Sequence, residues 1–509
     1  MLRSSTSSLV RSTTSNILKV QAQQLTNVRS ISTTPTLLAK PPAGAVKGGK
    51  KAVAFTRKSQ KVNAEEKKPK KSGMTHYGFK DAIRNLKLES NASEFPNGIV
   101  PLTGKELIEL SNGSKIKSYP EELQLGLTIS GCFKKYQFHE MFKTPVSFIS
   151  SNLTQLNSKF IEELTKKPSK DNRFILTGAK GCGKSTLITQ AIVVSKTTTT
   201  TAADSRKIVV LHLDDASLLR NGTSDYIKND KLNKYQQPML TKRFIRKIVQ
   251  LNKDIFKTLK LSKDIIIPTK TKDLQLKANE NTLYEYLTQT QEFARGNPTN
   301  AFQFFIEQLQ FHSQQDKGIS VFTAIDDINS IIDYPETLYK HPDFTPIMVD
   351  EFELGNFVLQ TISGELSFAK GGVLLATSSA YNPQQTLQVA LDPTKFNAYE
   401  QPPKFYVDYA DKLLLNNGVK QLPVANFSFD EAEEWIRFLN YTGIVVNRPD
   451  YIARKPKKLD ASGNVVKEEE VLDVGFDEVD QLDKITRRLY VASQGNPYDI
   501  LKASILTVA

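Results

Sequence analysis

Two cysteines in 509 residues, Cys132 and Cys182, stand far apart and outside any C-x-x-C pattern. That scarcity excludes a disulfide framework and a thiolate zinc site, and it suits a reducing compartment. Histidine is scarce too. The five histidines form no ligand cluster, and the one fragment that begins like a zinc-protease helix, His139-Glu140-Met141-Phe142-Lys143, lacks its second histidine. Long apolar runs are missing: Ile208–Leu213 and residues 373–377 fall far short of the ~18 residues that a membrane helix needs. Acids are absent from residues 1–64, which hold eleven Lys and Arg. The first 71 residues hold fifteen bases against two acids, and so carry +13 of the net charge of +14. The body that follows is nearly neutral, which is not the character of a basic nucleic-acid glove.

The acid-free start is rich in Ser and Thr, with Arg3, Arg11 and Lys19 spaced among Leu2, Leu9, Val10, Ile17 and Leu18. A helix through it has one basic and one apolar face, the composition of a mitochondrial transit peptide, whereas Ser and Thr interrupt every run that could serve as a secretory core. Residues 1–32 read as that address, with cleavage near Arg29–Ser32. Residues 33–75 have too few large apolar side chains for a core and read as a disordered basic arm, able to neutralise RNA phosphates.

The strongest motif lies further on. Gly178-Ala179-Lys180-Gly181-Cys182-Gly183-Lys184-Ser185 satisfies G-x-x-x-x-G-K-[ST] in full, and Thr186 follows. Arg173 to Thr177 before it read as a short strand, and Leu187, Ile188, Ala191 and Ile192 after it have helical spacing. Glycines let such a loop wrap with several N–H groups turned inward, and the helix N-terminus adds positive potential. Lys184 is placed for β- and γ-phosphates and the Ser185 hydroxyl for Mg²⁺. Cys182 occupies a variable position of the motif. No N-K-x-D or T-K-x-D guanine-reading motif is present, because Asn252-Lys253-Asp254-Ile255 is out of register. The base is therefore open between GTP or GDP and ATP.

A partner acid should end another buried strand. Asp214 and Asp215 follow the apolar run Ile208–Leu213, and Asp326 and Asp327 follow Ser320–Ile325. Between them lies a largely helical, amphipathic stretch, and residues 371–376 form a further apolar run ending in Thr377 and Ser378. That succession is the order of the AAA-like class, so Asp326 is the expected Mg²⁺ acid and Asp327 the expected catalytic neighbour, with Asp214 and Asp215 as the alternative. Asp327 is one methylene shorter than the usual glutamate, and no arginine finger is evident. Binding is thus expected, with any hydrolysis slow or absent.

The fold expected is α/β, with an AAA-like P-loop core on a parallel sheet over residues 166–395. A mixed, helix-prone region (76–165) precedes it and a small, mostly helical C-terminal domain (396–509) follows. In the latter, Ser428 and Glu431 read as a helix start ahead of an amphipathic run through Trp435.

Taken together, the transit-like start, Gly178–Thr186, "VVLHLDDASLL", "FTAIDDINSI", "LPVANFSFDEAEEWIRFL" and "SQGNPYDILKAS" resemble the death-associated protein 3 family, the P-loop protein of the mitochondrial small ribosomal subunit. The resemblance implies a matrix protein in the head of that subunit, near the face that meets the large subunit. It also implies a bound purine nucleotide with Mg²⁺ in a structural or regulatory role. Other small-subunit proteins are the implied neighbours, with mitochondrial rRNA contacted through the basic arm. A mitochondrial AAA-like ATPase or chaperone and a switch GTPase are the competing readings.

Overall fold

A computed structural model describes residues 99–506, apart from 105–114, 143, 199–206, 231, 268–272, 293–297, 316–317, 383, 398, 400–404 and 446–477. The transit-like stretch and the basic arm lie outside the described residues.

Five strands form one all-parallel sheet: β1 (Arg173–Thr177), β2 (Ile208–Leu213), β3 (Ser320–Ile325), β4 (Gly371–Ala376) and β5 (Lys420–Pro423). Their spatial order is β5-β1-β4-β3-β2. Helices cover both faces, and this explains why β2, β3 and β4 are buried at every position and mostly apolar rather than alternating. Successive residues still divide between two cores. Ile175, Val209, Leu211, Val321 and Val373 point to one, shared with Phe244 and Ile248 of helix α2 (Pro238–Phe256) and with Phe305 and Phe357. Phe174, Leu176, Val210, Phe322 and Leu374 point to the other, shared with Leu187, Ile188 and Ile192 of helix α1 (Lys184–Thr198) and with Leu153 and Phe160.

Two buried polar side chains finish the sheet. Arg173, 1% exposed, donates through its guanidinium to the carbonyls of Ile362, Leu415 and Asn416 and ties β1 to the two segments flanking it. At the edge strand β2, the kink residue Asn252 of α2 exchanges two hydrogen bonds with the backbone of Val210, at 2.8 and 2.9 Å. An amide side chain thus occupies backbone groups that an edge strand would leave open. The fragment that begins like a guanine-reading motif is in use here as a structural cap.

The sheet draws β5 from residues 420–423, inside the stretch the sequence assigned to a helical C-terminal domain. Four residues ending in proline carry too little alternation to be read as a strand. Beyond β5 the described residues form three helices: α3 (Phe429–Tyr441), α4 (Glu478–Ser493) and α5 (Pro497–Leu506). A capping box starts α3, with Glu431 N donating to Ser428 Oγ at 3.2 Å and Ser428 N to Glu431 Oε2 at 3.1 Å. These helices do not close a core alone. Trp435, Ile436, Leu489 and Ile500 pack against Ile116, Val146 and Phe148 of an antiparallel pair formed by Ile116–Ser118 and Val146–Phe148. Segments from both ends of the described chain therefore meet beside the parallel sheet.

Candidate functional site

All five strands run the same way, so the loop after β1, the two Asp-Asp pairs and Thr377-Ser378 leave the sheet at one edge. This is the edge where open parallel sheets bind ligands.

The loop wraps tightly. A Cβ at Gly178 would come within 2.8 Å of the Val424 carbonyl oxygen, and one at Gly181 within 2.6 Å of Asn496 Oδ1 and 2.7 Å of Tyr498 Cβ. Both glycines also have positive φ, so the close approach and the backbone conformation require the same residue. Lys184 folds over the loop, its Nζ 2.8 Å from the carbonyl oxygens of both Gly178 and Ala179. Among the described residues, no protein acceptor faces the amides of Gly181, Cys182 and Gly183. Amides without a protein acceptor, an ammonium group and the start of α1 together suit a chain of phosphates. Cys182 is buried against the loop. Ser185 opens the first turn of α1, and Thr186 Oγ1 accepts from Gln137 Nε2 at 3.3 Å.

The two acid pairs sit side by side, joined by the bonds Asp326 N to Leu213 O and Ala216 N to Asp326 O, each 3.0 Å. Asp214 is held by Lys247 at 2.5 Å, with both side chains largely buried, and Asp215 caps the turn Ala216–Leu219 through Ser217 N. Asp326 is buried, and its two oxygens are both engaged: Oδ1 accepts the amide of Asp327, and Oδ2 lies 2.5 Å from Lys134 Nζ. Lys134 also lies 3.7 Å from Asp327. Asp327 is in the left-handed region at φ 61, and Ser378 hydrogen bonds to its carboxyl. Burial, and Asp326 next to it, push the Asp327 carboxyl above its ordinary range. Burial works against the Lys134 ammonium, but Asp326 and then Asp327 outweigh it and hold its pKa above that of a free lysine. Thr377 instead turns its hydroxyl to the Leu176 carbonyl.

Lys134 belongs to a strap over this edge. The Cys132 carbonyl accepts from Thr189 Oγ1 on α1, Gln137 reaches Thr186, and Phe138 stacks on Tyr498. From the outside Asn496 Nδ2 donates to the Lys180 carbonyl at 2.7 Å. His139, at the fragment that begins like a zinc-protease helix, is packed against Tyr119 and Phe133, and burial lowers its pKa to about 4. Among the described residues no group of three or more His, Cys, Asp and Glu side chains is arranged to hold a metal. The loop therefore fits a phosphate chain as it stands, whereas a cation at Asp326 has to replace Lys134.

Residues 147–503 match the family described as mitochondrial ribosomal death-associated protein 3. The chain belongs to that family. The Schizosaccharomyces pombe small ribosomal subunit protein mS29 is 24% identical over 343 residues, 66% of this chain and 66% of its own length. The Neurospora crassa small ribosomal subunit protein mS29 is 23% identical over 452 residues, 86% of this chain and 91% of its own length. Membership in a mitochondrial ribosomal family gives the mitochondrial matrix as the location. No helix among the described residues is long and apolar enough to cross a membrane.

For this family member, sequence reasoning located the loop and both acid pairs but missed Lys134, Gln137 and the loop contact of Asn496. Lys134 precedes the span matched to the family. Nothing local marks it, since its partner lies 192 positions away.

Proposed function

We propose that this chain is a structural component of the mitochondrial small ribosomal subunit that holds a purine nucleotide in the loop Gly178–Thr186. The ribosomal half rests on the family match and on relatives named as small-subunit proteins. The nucleotide half rests on one observation, the Lys184 ammonium and the free loop amides at the start of α1. The spatial order β5-β1-β4-β3-β2, which sets β4 between the loop strand and the acid strand, supports an AAA-like P-loop core.

In this reading the loop amides and Lys184 bind the β- and γ-phosphates, and Ser185 with Asp326 would hold Mg²⁺ where it displaces Lys134. The metal supplies charge neutralisation of the phosphates when bound. Asp327 is the residue placed to orient a water, but its raised carboxyl pKa and its ion pair with Lys134 suit a site that retains nucleotide better than one that turns it over. Neighbours are other small-subunit proteins, rRNA reached through the basic arm, and the large subunit across the intersubunit face.

The test is sedimentation of a gentle mitochondrial lysate on a sucrose gradient, following wild type and Lys184→Ala beside small-subunit rRNA. Co-migration of wild type and loss of the variant from that peak are expected. Wild type running apart from the rRNA would remove the ribosomal reading.

A further inference from the structure

We infer that Lys134 is a built-in counter-cation that competes with Mg²⁺ for Asp326 and Asp327, so that the loop takes nucleotide with little dependence on divalent metal. The inference rests on the nucleotide reading above and concerns which cation serves that site.

Four observations carry it. The Lys134 ammonium is 2.5 Å from Asp326 Oδ2 and 3.7 Å from Asp327 Oδ2, so one positive charge serves both acids. The other oxygen of Asp326 accepts a backbone amide, so each of its two oxygens already has a partner. The segment that carries the lysine is anchored: its backbone amide is tied to Gln137 Oε1 at 3.0 Å, and Gln137 in turn reaches Thr186 in the first turn of α1. Finally, its side chain is 29% exposed while that of Asp326 is 3% exposed. The acid is fixed in the interior and the cation faces the solvent side, so the cation is the partner that can be exchanged.

The chemistry follows from charge. A triphosphate entering the loop brings several negative charges towards two carboxylates, and repulsion between them has to be neutralised. A metal does this where the acids are open. Here an ammonium from the strap already does it. Mg²⁺ gains the acids only by displacing Lys134, which then turns to solvent or to the phosphates. With Lys134 shortened, the acids become open and the metal becomes necessary.

The experiment titrates the purified full chain with N-methylanthraniloyl-GTP and N-methylanthraniloyl-ATP, in millimolar Mg²⁺ and in EDTA, for wild type, Lys134→Gln, Lys134→Ala and Lys134→Arg. The readout is the ratio of Kd in EDTA to Kd in Mg²⁺. Wild type and Lys134→Arg are expected to stay within about threefold, and the Gln and Ala variants to rise by about tenfold or more over wild type. A second readout needs no nucleotide: Mg²⁺ alone is expected to raise the Tm of the Gln and Ala variants and leave wild type unmoved. A large ratio that is equal in wild type and the variants, with no Tm response in any of them, overturns the role of Lys134 and leaves nucleotide binding standing. Folded wild type that binds neither probe in either buffer overturns the nucleotide reading and this inference with it. If both shortened variants fail to fold, the wild-type ratio decides: a ratio of about tenfold or more in wild type overturns the inference.

Discussion

The same dipeptide, Asp-Asp, ends two adjacent parallel strands and does two different jobs. After β2, Asp214 neutralises Lys247 in the interior and Asp215 caps a turn, so both carboxylates serve the fold. After β3, Asp326 and Asp327 converge on one partly exposed lysine carried by a strap, with Ser378 beside them. The difference lies in the partners. Lys247 comes from α2, packed against the sheet, and its side chain is 8% exposed; that of Lys134 is 29% exposed. A charge whose partner is fixed is structural, and one whose partner can be exchanged is available to a ligand.

Removing one member of each pair breaks the comparison most directly. Asp214→Ala leaves a buried lysine without a counter-charge and is expected to cost about 3–5 kcal/mol in chemical denaturation. Asp326→Ala leaves Lys134 free to turn to water and should cost only about 1 kcal/mol, while raising the dependence of nucleotide binding on salt. Equal losses in the two variants would erase the distinction.

The β2 side also has its own pH signature. Burial lowers the pKa of His212 to about 4, with Asp214 and Asp326 pulling upward and Lys247 and Lys134 downward, and Cys132 Sγ 3.6 Å from the ring. The unfolded chain binds this proton at an ordinary histidine pKa, so the folded state gains between those values as pH rises. Stability is complete above about pH 6.5 and falls as pH drops towards 4, by about 2 kcal/mol at pH 5 from this group. The His212 share is the difference between wild type and His212→Gln in denaturation midpoints from pH 7 to 5: wild type should lose about 2 kcal/mol more than the variant, while His139, also lowered to about 4, contributes equally to both.

Smaller effects sharpen the β3 side. Asp327→Asn removes a half-buried like charge and places a residue that tolerates the left-handed region better. It is expected to stabilise by about 1 kcal/mol, read as a higher Tm. Asn496→Ala removes the bond to the Lys180 carbonyl and should cost about 1 kcal/mol, with a few-fold weaker nucleotide binding, because the loop loses its outer brace.

What could be read in advance follows the same division. Gly178–Ser185 is legible because a phosphate loop needs only its own backbone and the next helix, all contiguous in sequence. The strands β2, β3 and β4 are legible because burial on both faces makes them mostly apolar runs. The acid pairs are legible as strand ends, but their separate roles are not, since Lys247 and Lys134 reach them from distant elements and neither carries a local signal. For the same reason Asn496, 316 positions from Lys180, could be quoted as part of a family pattern without its contact being visible. The strand β5 escapes because four residues ending in proline form a strand only when β1 is already there to pair with.

The most direct measurement of the central claim is the nucleotide content of small subunits isolated from mitochondria that carry wild type or Lys184→Ala, determined by chromatography after denaturation. The account predicts a stoichiometric purine nucleotide with wild type and its absence with the variant. Wild-type subunits that contain this chain and no purine nucleotide would contradict it.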